Sequence, residues 1–463
     1  MEVDVAVLGG GPAGYTAAIR AAQLGGKVVC IEREAALGGT CLRVGCIPTK
    51  AWVQSAHALH DARETFGKLG VQVGEPVLDF GAAVAWKDAV VGQMTGGVAS
   101  LFKANGVEWL QGAGRFTGPN TLAVEGHEDV TFRSAIVATG SAPVRPPIPG
   151  LESPRVVDST GLLAQTAVPG RLVILGGGII GCEFASIFDR FGSEVTIVEM
   201  LPHLIPGEDE DASQELEKAF RRRGIVQHLG KQCTGVEDHG SHLVVRFGDG
   251  EAVEADLMLV AVGRAAVVEG LGLEAAGVAV EPRRIPTDAA RRTNVPHVYA
   301  VGDVAGYWQL AHTGFREGEI AAENAMGHPA VMTDQAVPRP IYTDPEIAGV
   351  GLTEAQARAQ LGDENVVVGR CPWAAIARAV MSGTTTGWVK TIHERTYGEL
   401  LGVVIVGPHA TDLIGGAVVA LDAESTIETI ADGIAPHPTL AEAIKEAGLV
   451  ALGRAIHLPP RRR

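Results

Sequence analysis

The sequence predicts an α/β protein in which one strand–helix–strand unit occurs twice, followed by a C-terminal α+β region. A glycine-rich loop follows an apolar strand at residues 9–14, and the same arrangement recurs at residues 176–181. Each unit ends in an acidic residue at the close of its second strand. From about Pro340 the glycine signature is absent and strands are mixed with helical stretches. This change of pattern predicts a separate C-terminal domain with a role in assembly.

The first unit runs from the strand VDVAVLG through the loop GGGPAG and a helix to the strand KVVCIE, which ends at Glu32. In such a unit the glycines allow a tight turn and the close approach of phosphate, and the acid binds ribose hydroxyls. Glu32 follows Gly14 at close to the ~20-residue spacing of this fingerprint. The strand before the loop, the helix after it and the acid together predict a Rossmann-like dinucleotide-binding domain.

The second unit, RLVILGGGIIGCEFASIFDRFGSEVTIVE, repeats this pattern and ends at Glu199. Two dinucleotide sites in one chain indicate two cofactors that exchange electrons, although one of the sites could have kept a structural role only. A carboxylate at Glu199 can accept hydrogen bonds from the adenosine ribose and repels a 2′-phosphate, which favours NAD over NADP.

Composition narrows the possible partners and the location. The net charge of −16 argues against nucleic acid and anionic membranes as partners. The N-terminus already forms a strand, so no secretory signal is expected, and no apolar run has the length of a membrane span. We therefore expect a cytoplasmic protein without a metal site, and we interpret the terminal run Arg461–Arg463 as a solvated tail.

Two cysteines in GGTCLRVGCIPTK, Cys41 and Cys46, are the strongest candidates for chemistry. In a regular helix, residues five apart have Cα atoms about 8–9 Å apart, which exceeds the roughly 7 Å limit of an unstrained disulfide. A bond between them therefore needs a broken helix, for which Gly45 and Pro48 supply freedom and interruption. In a reducing compartment such a pair is more often catalytic than structural. On spacing alone, two unrelated buried thiols remain the alternative.

The remaining cysteines stand singly among apolar residues, and we interpret them as filling the core or surface: Cys30, Cys182, Cys233 and Cys371.

A histidine near the C-terminus is a candidate general base. In APHPTLAEAIKEA, Pro438 disfavours a helical His437, so the helix is predicted to start at or after the proline. Glu442 would lie one and a half turns into that helix and reach back to the imidazole, an arrangement typical of general acid–base pairs. Taken alone, a histidine at this place is more often an ordinary helix-start residue, and it is the cysteine pair and the two dinucleotide sites that favour the base.

An aspartate at a strand end is a further candidate. NVPHVYAVGDV is an extended segment that ends in Gly302 and Asp303. The carboxylate could accept a hydrogen bond from a cofactor hydroxyl, but the same pair also occurs in common turns.

Taken together, these segments resemble the flavin-dependent pyridine nucleotide–disulfide oxidoreductases of class I. The chain is most similar to the branch that oxidises dihydrolipoamide. The segments that carry the resemblance run nearly end to end and include GGGPAGYTAAIRAAQLG, GGTCLRVGCIPTK, IVATGS, GGGIIGCEFA, VYAVGD, YTDPEIAGVGLTE and HPTLAEA.

The resemblance implies FAD in the first fold and NAD in the second. It implies FAD contacts at Gly9, Gly11, Pro12, Ala13, Gly14, Glu32, Arg33, Gly39, Thr40, Lys50, Gly114, Thr139, Gly140, Ser141, Asp303, Gln309, Leu310, Ala311 and His312. It implies NAD contacts at Gly176, Gly178, Ile179, Ile180, Gly181, Glu183, Glu199 and Gly263.

The resemblance also implies the domain division and the quaternary arrangement. It implies an FAD-binding domain with the redox disulfide at 1–148, an NAD-binding domain at 149–270, a central domain at 271–338 and a dimerisation domain at 339–463. In the implied homodimer, His437 serves the disulfide of the other subunit.

The implied reaction oxidises protein-bound dihydrolipoamide and reduces NAD⁺. His437 deprotonates the substrate, whose thiolate attacks Cys41, the more exposed sulfur, while Cys46 faces the flavin. The expected partner is the lipoyl-bearing protein of a 2-oxo acid dehydrogenase complex or of glycine cleavage. The alternatives are a related NAD(P)H-dependent disulfide or quinone reductase and a non-catalytic flavin-binding subunit. Some positions depart from the usual pattern: Arg43, Ala265, Ala266, Thr313 and Pro436.

Overall fold

The computed structural model describes residues 1–459, so the predicted Arg461–Arg463 tail lies outside the described residues. The strands, in chain order, are β1 (Glu2–Leu8), β2 (Val28–Glu32), β3 (Glu108–Gln111), β4 (Gly114–Gly118), β5 (Thr121–Val124), β6 (Val130–Val137), β7 (Ser141–Pro143), β8 (Val156–Val157), β9 (Arg171–Leu175), β10 (Glu194–Glu199), β11 (Val226–Leu229), β12 (Cys233–Asp238), β13 (Leu243–Phe247), β14 (Ala252–Ala255), β15 (Leu257–Val260), β16 (Arg264–Ala266), β17 (Val298–Ala300), β18 (Arg339–Ile341), β19 (Ile347–Gly351), β20 (Val366–Pro372), β21 (Trp388–Glu394) and β22 (Leu400–Val406).

The α-helices, in chain order, are α1 (Pro12–Gln23), α2 (Gly39–Val44), α3 (Cys46–His60), α4 (Phe80–Asn105), α5 (Ser159–Leu163), α6 (Ile179–Phe191), α7 (Glu210–Arg223), α8 (Ala311–Ala325), α9 (Glu354–Leu361), α10 (Ala377–Met381), α11 (Ala410–Asp422), α12 (Ile427–Asp432) and α13 (Glu442–Ala451). No helix within residues 1–459 combines the length and the apolar character that crossing a bilayer requires.

Two parallel sheets confirm the predicted α/β class. The first has the order β3-β2-β1-β6. Both β17, which is parallel, and the antiparallel pair β4–β5 continue the sheet from β6. The second has the order β11-β10-β9-β15-β8, and all of its pairs are parallel. In both sheets the strand before the glycine loop is central, so the loop lies at the carboxyl edge where doubly wound sheets bind ligands.

The C-terminal region is α+β, as the change of pattern predicts. Its antiparallel sheet has the order β18-β19-β22-β21-β20 and carries α11 and α13. The segment IYTDPEIAGVGLT contributes to both β18 and β19. The antiparallel sheet β12-β13-β14 and the ribbon β7–β16 are additional elements that the sequence patterns did not indicate.

Two contacts fix the helix that carries the second cysteine. Trp52 on α3 is fully buried and meets Phe188 and Phe191 of α6 edge-on, with ring centroids 5.9 and 6.2 Å apart. Edge-to-face pairs at this separation add to the free energy gained from burying the rings. α3 therefore packs against the helix that starts at the second glycine loop, which brings the cysteine segment next to the second fold.

A buried lysine joins the second fold to the C-terminal sheet. Lys390 on β21 is 2% exposed, and its Nζ lies 2.6 Å from Asp209, 2.8 Å from Asp211 and 3.1 Å from Glu354. A buried ammonium is tolerated only when it is paired in this way. The network holds the start of α7 against β21 and α9.

Candidate active site

A cavity of about 1950 Å³ opens at the carboxyl edges of both parallel sheets. Small-ligand pockets are usually roughly 300–1,000 Å³, so this cavity has room for two extended ligands. Its lining includes both cysteines and most of the predicted cofactor residues: Gly9, Gly11, Pro12, Ala13, Glu32, Arg33, Gly39, Thr40, Lys50, Gly114, Thr139, Gly140, Ser141, Asp303, Gln309, Leu310, Ala311, His312, Gly176, Gly178, Ile179, Ile180, Glu183, Glu199 and Gly263.

Gly14 and Gly181, predicted as cofactor contacts, do not line the cavity. A Cβ at Gly14 would lie 1.9 Å from the carbonyl oxygen of Gly9, and one at Gly181 would lie 2.0 Å from that of Gly176. The third glycine of each loop therefore allows the helix to pack closely on the strand, and this packing explains why glycine is needed there.

The two acids that end β2 and β10 have matching geometry. Glu32 accepts the N–H of Gly10 at 2.7 Å, and Glu199 accepts the N–H of Gly177 at 2.6 Å. The other oxygen of each carboxylate accepts the backbone N–H two residues further on, at 3.0 and 2.7 Å. Because each oxygen has a second lone pair, both carboxylates keep the capacity to accept ribose hydroxyls.

The helices that begin at the cavity have uncapped N-termini. α1 starts after Gly11, α6 after Gly178 and α8 after Leu310, and none of these three receives a side-chain cap. Free N–H groups and the helix dipole at an N-terminus attract phosphate and other anions. The cavity therefore offers the pyrophosphate-binding features that two dinucleotides require.

Asp303 is held by a short chain of hydrogen bonds. Ser141 donates to Asp303 Oδ2 at 2.5 Å and accepts from Arg264 Nε at 2.7 Å. Burial raises the pKa of Asp303, although the hydrogen bond from Ser141 opposes this rise. The carboxyl group is thus oriented on the cavity wall, which favours a ligand contact over an ordinary turn. The role of Arg264 depends on the β7–β16 pairing, which no local sequence pattern indicates.

The helix is broken between the two cysteines, as their spacing requires. α2 ends at Val44 and α3 begins at Cys46, and Gly45 between them has φ −140° and ψ −110°. A Cβ at Gly45 would lie 2.8 Å from the carbonyl oxygen of Thr40. Pro48 lies in the first turn of α3, where proline is tolerated, so Gly45 alone makes the break.

The two sulfur atoms are hydrogen-bonded to each other and differ in acidity. The Cys41 thiol donates to Cys46, which is the main cause that lowers the pKa of Cys46 to about 7. Burial opposes this shift, and the ammonium of Lys50 supports it. The same hydrogen bond, followed by burial, raises the pKa of Cys41. Cys46 is therefore the sulfur that carries the negative charge near neutral pH.

One expectation about the cysteines is wrong for the single chain. Cys46 is exposed and Cys41 is half-buried, whereas Cys41 was expected to be the more exposed sulfur. Both sulfurs belong to residues that line the cavity, and the exposed surface of Cys46 faces this cavity beside Lys50.

An ion pair lies next to Cys46. Lys50 Nζ is 2.6 Å from Glu183 Oε2, and the other oxygen of Glu183 accepts the N–H of Tyr342 at 3.0 Å. The ammonium also lies 4.6 Å from the centroid of the Tyr342 ring. Burial opposes the charge of Lys50, but the Glu183 carboxylate and the charge of Cys46 together outweigh burial and raise the pKa of the lysine. A permanent positive charge is thereby fixed beside the thiolate.

His437 and Glu442 form the predicted pair. The imidazole Nδ1 lies 2.9 Å from Glu442 Oε1, and Oε2 accepts the N–H of Thr439 at 2.9 Å. Slight burial opposes ionisation, but these two contacts hold the pKa of Glu442 below its ordinary range. α13 begins at Glu442 itself, so the expected position one and a half turns into the helix is wrong. The turn at Thr439 places the carboxylate instead.

The base pair does not line the cavity of its own chain. The side chain of His437 is 73% exposed, and neither His437 nor Glu442 is among the residues that line the cavity. The described chain thus holds a complete cysteine site and an exposed histidine–carboxylate pair that is separate from it.

Several positions that depart from the usual pattern have structural partners. Arg43 Nη2 lies 2.9 Å from Glu34, and Thr313 donates to the carbonyl of Leu310 at 2.7 Å. Ala265 and Ala266 lie in β16, and the carbonyl of Pro436 accepts from Thr439. Further residues, which no local sequence pattern indicates, line the second half of the cavity after β10 and β11: Met200, Leu201, Lys231, Gln232 and Cys233. Only strand pairing brings these residues together.

Two family patterns cover most of the chain. The pattern described as pyridine nucleotide-disulphide oxidoreductase matches residues 3–318, and the dimerisation domain of the same family matches residues 337–448.

Curated relatives match over nearly the full length. The dihydrolipoyl dehydrogenase of Bacillus subtilis is 40% identical over 461 residues, covering 98% of this chain and 100% of the relative. That of Thermus scotoductus is 43% identical over 463 residues, covering 98% of each.

Two solved structures have similar folds. The HOCl-induced flavoprotein disulfide reductase RclA of Escherichia coli matches with a TM-score of 0.87 and 31% identity, covering 96% of this chain and 99% of the other. LpdA of Mycobacterium tuberculosis matches with a TM-score of 0.89 and 28% identity, over 96% and 99% of the chains.

The geometry and the comparisons agree. The glycine loops, the uncapped helix N-termini and the two acids fit two dinucleotide cofactors, and the expectation of FAD and NAD is confirmed. The cysteine pair beside Lys50 fits the redox-active centre of a disulfide oxidoreductase. The chain belongs to the pyridine nucleotide–disulfide oxidoreductase family.

Proposed function

We propose that this protein is a dihydrolipoyl dehydrogenase, which oxidises protein-bound dihydrolipoamide and reduces NAD⁺ through the Cys41–Cys46 pair and FAD. The observation that carries the proposal is the placement of this pair on the wall of a cavity that both glycine loops share. The full-length similarity to dihydrolipoyl dehydrogenases supports the choice of substrate.

The difference in acidity between the sulfurs assigns their roles. A thiolate of the dithiol substrate attacks Cys41, and the Cys41–Cys46 disulfide breaks with Cys46 as the leaving thiolate. The sulfur with the lower pKa leaves faster, and this sulfur is Cys46. Lys50, held by Glu183, stabilises the charge that develops there. The second thiol of the substrate then attacks the mixed disulfide, which releases the oxidised lipoamide and the Cys41 thiol. FAD held in the cavity would supply the acceptor for the electron pair of the reduced cysteines, and NAD⁺ would be the final acceptor.

We propose that the predicted cofactor residues bind as the cavity suggests, with Glu32 accepting from a ribose of FAD and Glu199 from a ribose of NAD. Asp303 and the N-terminus of α8 at Ala311 would hold polar groups of the flavin nucleotide. The carboxylate of Glu199 gives a preference for NAD over NADP because it repels a 2′-phosphate.

We further propose that the chain acts as a homodimer in which His437 takes the substrate proton at the cysteines of the other subunit. Residues 337–448 match a dimerisation domain, and the exposed His437 does not line its own cavity. The proton then leaves the imidazole, whose orientation and charge are supported by Glu442.

A mixed dimer tests this assignment directly. A dimer of one His437→Gln subunit and one Cys46→Ser subunit contains one site with both defects and one intact site if the histidine acts across the interface. Such a dimer, isolated with two different affinity tags, should keep about half of the wild-type activity. If His437 serves its own subunit, both sites are defective and the mixed dimer is inactive.

The overall proposal is tested by NADH formation from dihydrolipoamide and NAD⁺ with the purified holoenzyme, with Cys46→Ser as the control. The second candidate is a flavoprotein disulfide reductase, favoured by the similarity to RclA. Robust reduction of another disulfide by NADH, with negligible oxidation of dihydrolipoamide, would support this second function.

We also propose a cytoplasmic location. The proposed partner is a lipoyl-bearing protein of a 2-oxo acid dehydrogenase complex or of glycine cleavage. The proposed domains are 1–148, 149–270, 271–338 and 339–463. Co-purification from the native host would identify the complex. Limited proteolysis would test the boundaries.

A further inference from the structure

The backbone of a lysine lies beside the acid that is proposed to bind the NAD ribose. Lys231 follows β11, and its backbone N–H donates to the carbonyl of Glu199 at 3.0 Å. Lys231 also lines the second half of the cavity, together with Met200 and Leu201. A lysine that lines the same part of the cavity as Glu199 offers an ammonium group to a 2′-phosphate, because an added phosphate on the ribose is a strong acceptor for such groups.

The positive charge of Lys231 is already paired with two carboxylates. Lys231 Nζ forms an ion pair with Asp249 and lies 3.4 Å from Glu251. Both carboxylates belong to the turn between β13 and β14, and the N–H of Glu251 donates to Asp249 Oδ1 at 3.2 Å. The turn therefore presents two negative charges to one positive charge.

The backbone fixes the turn against the lysine. The N–H of Gly248, in the same turn, donates to the carbonyl of Gln232 at 3.1 Å, directly after Lys231. Phe247 closes the turn by donating to the carbonyl of Glu251 at 2.9 Å. The ion pairs are thus built into the contact between the β12-β13-β14 sheet and the second dinucleotide fold, and they do not depend on a freely moving loop.

We infer that Asp249 and Glu251 are specificity-determining residues that keep Lys231 from binding a 2′-phosphate. NADP is then disfavoured both by Glu199 and by these two carboxylates. This inference rests on the proposed NAD site. Glu199 repels the phosphate directly, and the turn neutralises the cation that would attract it. With all three carboxylates ionised the local charge is −2, counting Glu199, Asp249, Glu251 and Lys231, whereas without the two turn carboxylates it is zero.

The test uses the holoenzyme and two fragments, 5′-AMP and adenosine 2′,5′-bisphosphate, whose affinities are measured by calorimetry. Wild-type protein should bind 5′-AMP more tightly. In the variant Asp249→Asn/Glu251→Gln, the affinity for the bisphosphate should rise about ten-fold. The reason is that the local net charge changes from −2 to zero, which weakens the repulsion of the 2′-phosphate. The affinity for 5′-AMP should change by less than about two-fold, since that fragment carries no 2′-phosphate.

Two further variants make the result specific. Adding Lys231→Gln to the double variant should abolish the gain, while binding of 5′-AMP shows that the site is still folded. Glu237→Gln serves as the matched control, because Glu237 pairs with Arg246 in the same sheet and does not line the cavity. This control should leave both affinities unchanged.

The outcomes separate the inference from the proposed function. An unchanged affinity of the double variant for the bisphosphate, or a gain that persists without Lys231, overturns the inference while binding of 5′-AMP upholds the nucleotide site. If wild-type protein binds neither fragment, the proposed NAD site and the inference both fail.

Discussion

Removing the thiol of Cys41 should raise the pKa of Cys46, because the hydrogen bond from Cys41 is the main cause of its low value. At about pH 7.5, a pKa of about 7 leaves roughly three quarters of Cys46 as thiolate, whereas the ordinary value of 9.0 leaves about 3%. Since only the thiolate is alkylated, Cys41→Ala should slow alkylation of Cys46 by up to about 25-fold at this pH. Reactivity should return as the pH rises.

The serine variant is the matched control. Cys41→Ser keeps a hydroxyl that can donate to Cys46, so its alkylation midpoint should stay close to that of the wild type. Lys50→Met should also shift the midpoint upward, because the ammonium lowers the pKa of Cys46, although it contributes less than the hydrogen bond.

The assay is alkylation of the reduced protein with iodoacetamide over a range of pH, followed by trypsin and mass spectrometry. Trypsin cuts after Arg43 and Lys50, so the two cysteines fall on different peptides, EAALGGTCLR and VGCIPTK. An alkylation midpoint near 9 for wild-type Cys46, or equal midpoints for Cys41→Ala and Cys41→Ser, would refute the assignment of the hydrogen bond as the cause.

Other substitutions test the rest of the site. His437→Gln should lower dihydrolipoamide turnover by roughly 10²–10⁴-fold, and Glu442→Gln by less because it only orients the base; steady-state kinetics that show near-normal turnover in His437→Gln would contradict this role. Glu199→Ala should narrow the preference for NAD over NADP, chiefly through KM, and an unchanged ratio of kcat/KM values would show that another group sets it. Gly45→Ala should lower the yield of the Cys41–Cys46 disulfide, counted by mass spectrometry, because its Cβ meets a backbone carbonyl; normal disulfide formation would argue against the need for this break. Lys390→Met should destabilise the protein by about 3–5 kcal/mol, because three carboxylates lose their buried partner, and denaturant unfolding that shows no change would contradict this estimate.

More of the site's chemistry than of the surrounding architecture could be predicted from the sequence. Loops such as 9–14 and 176–181 are local signals, because strand, glycine turn, helix and acid follow one another in the chain. The break at Gly45 followed from helix geometry alone. The acids Glu32 and Glu199 occupy equivalent positions, as their equivalent sequence positions require.

The features that could not be predicted depend on contacts between segments that are distant in the sequence. Arg264 reaches Ser141 only because β16 pairs with β7. Lys231 reaches Asp249 only because the β13–β14 turn packs against the loop after β11. The start of α13 at Glu442 was also missed, because the turn at Thr439 satisfies the carboxylate before the helix begins. Periodicity within one segment carries no information about such pairings.

The packing of α3 against α6 explains how the two cofactor folds are joined at the cysteines. Cys46 and Lys50 lie on α3, and Glu183 lies on α6, whose N-terminus forms the second glycine loop. Burial of Trp52 between the two helices fixes their spacing, so the 2.6 Å contact between Lys50 and Glu183 forms without adjustment. A charged pair formed at the junction of two rigid helices cannot relax away from the thiolate beside it. The same packing therefore both joins the folds and holds the positive charge that supports the hydrogen bond from Cys41 in lowering the pKa of Cys46.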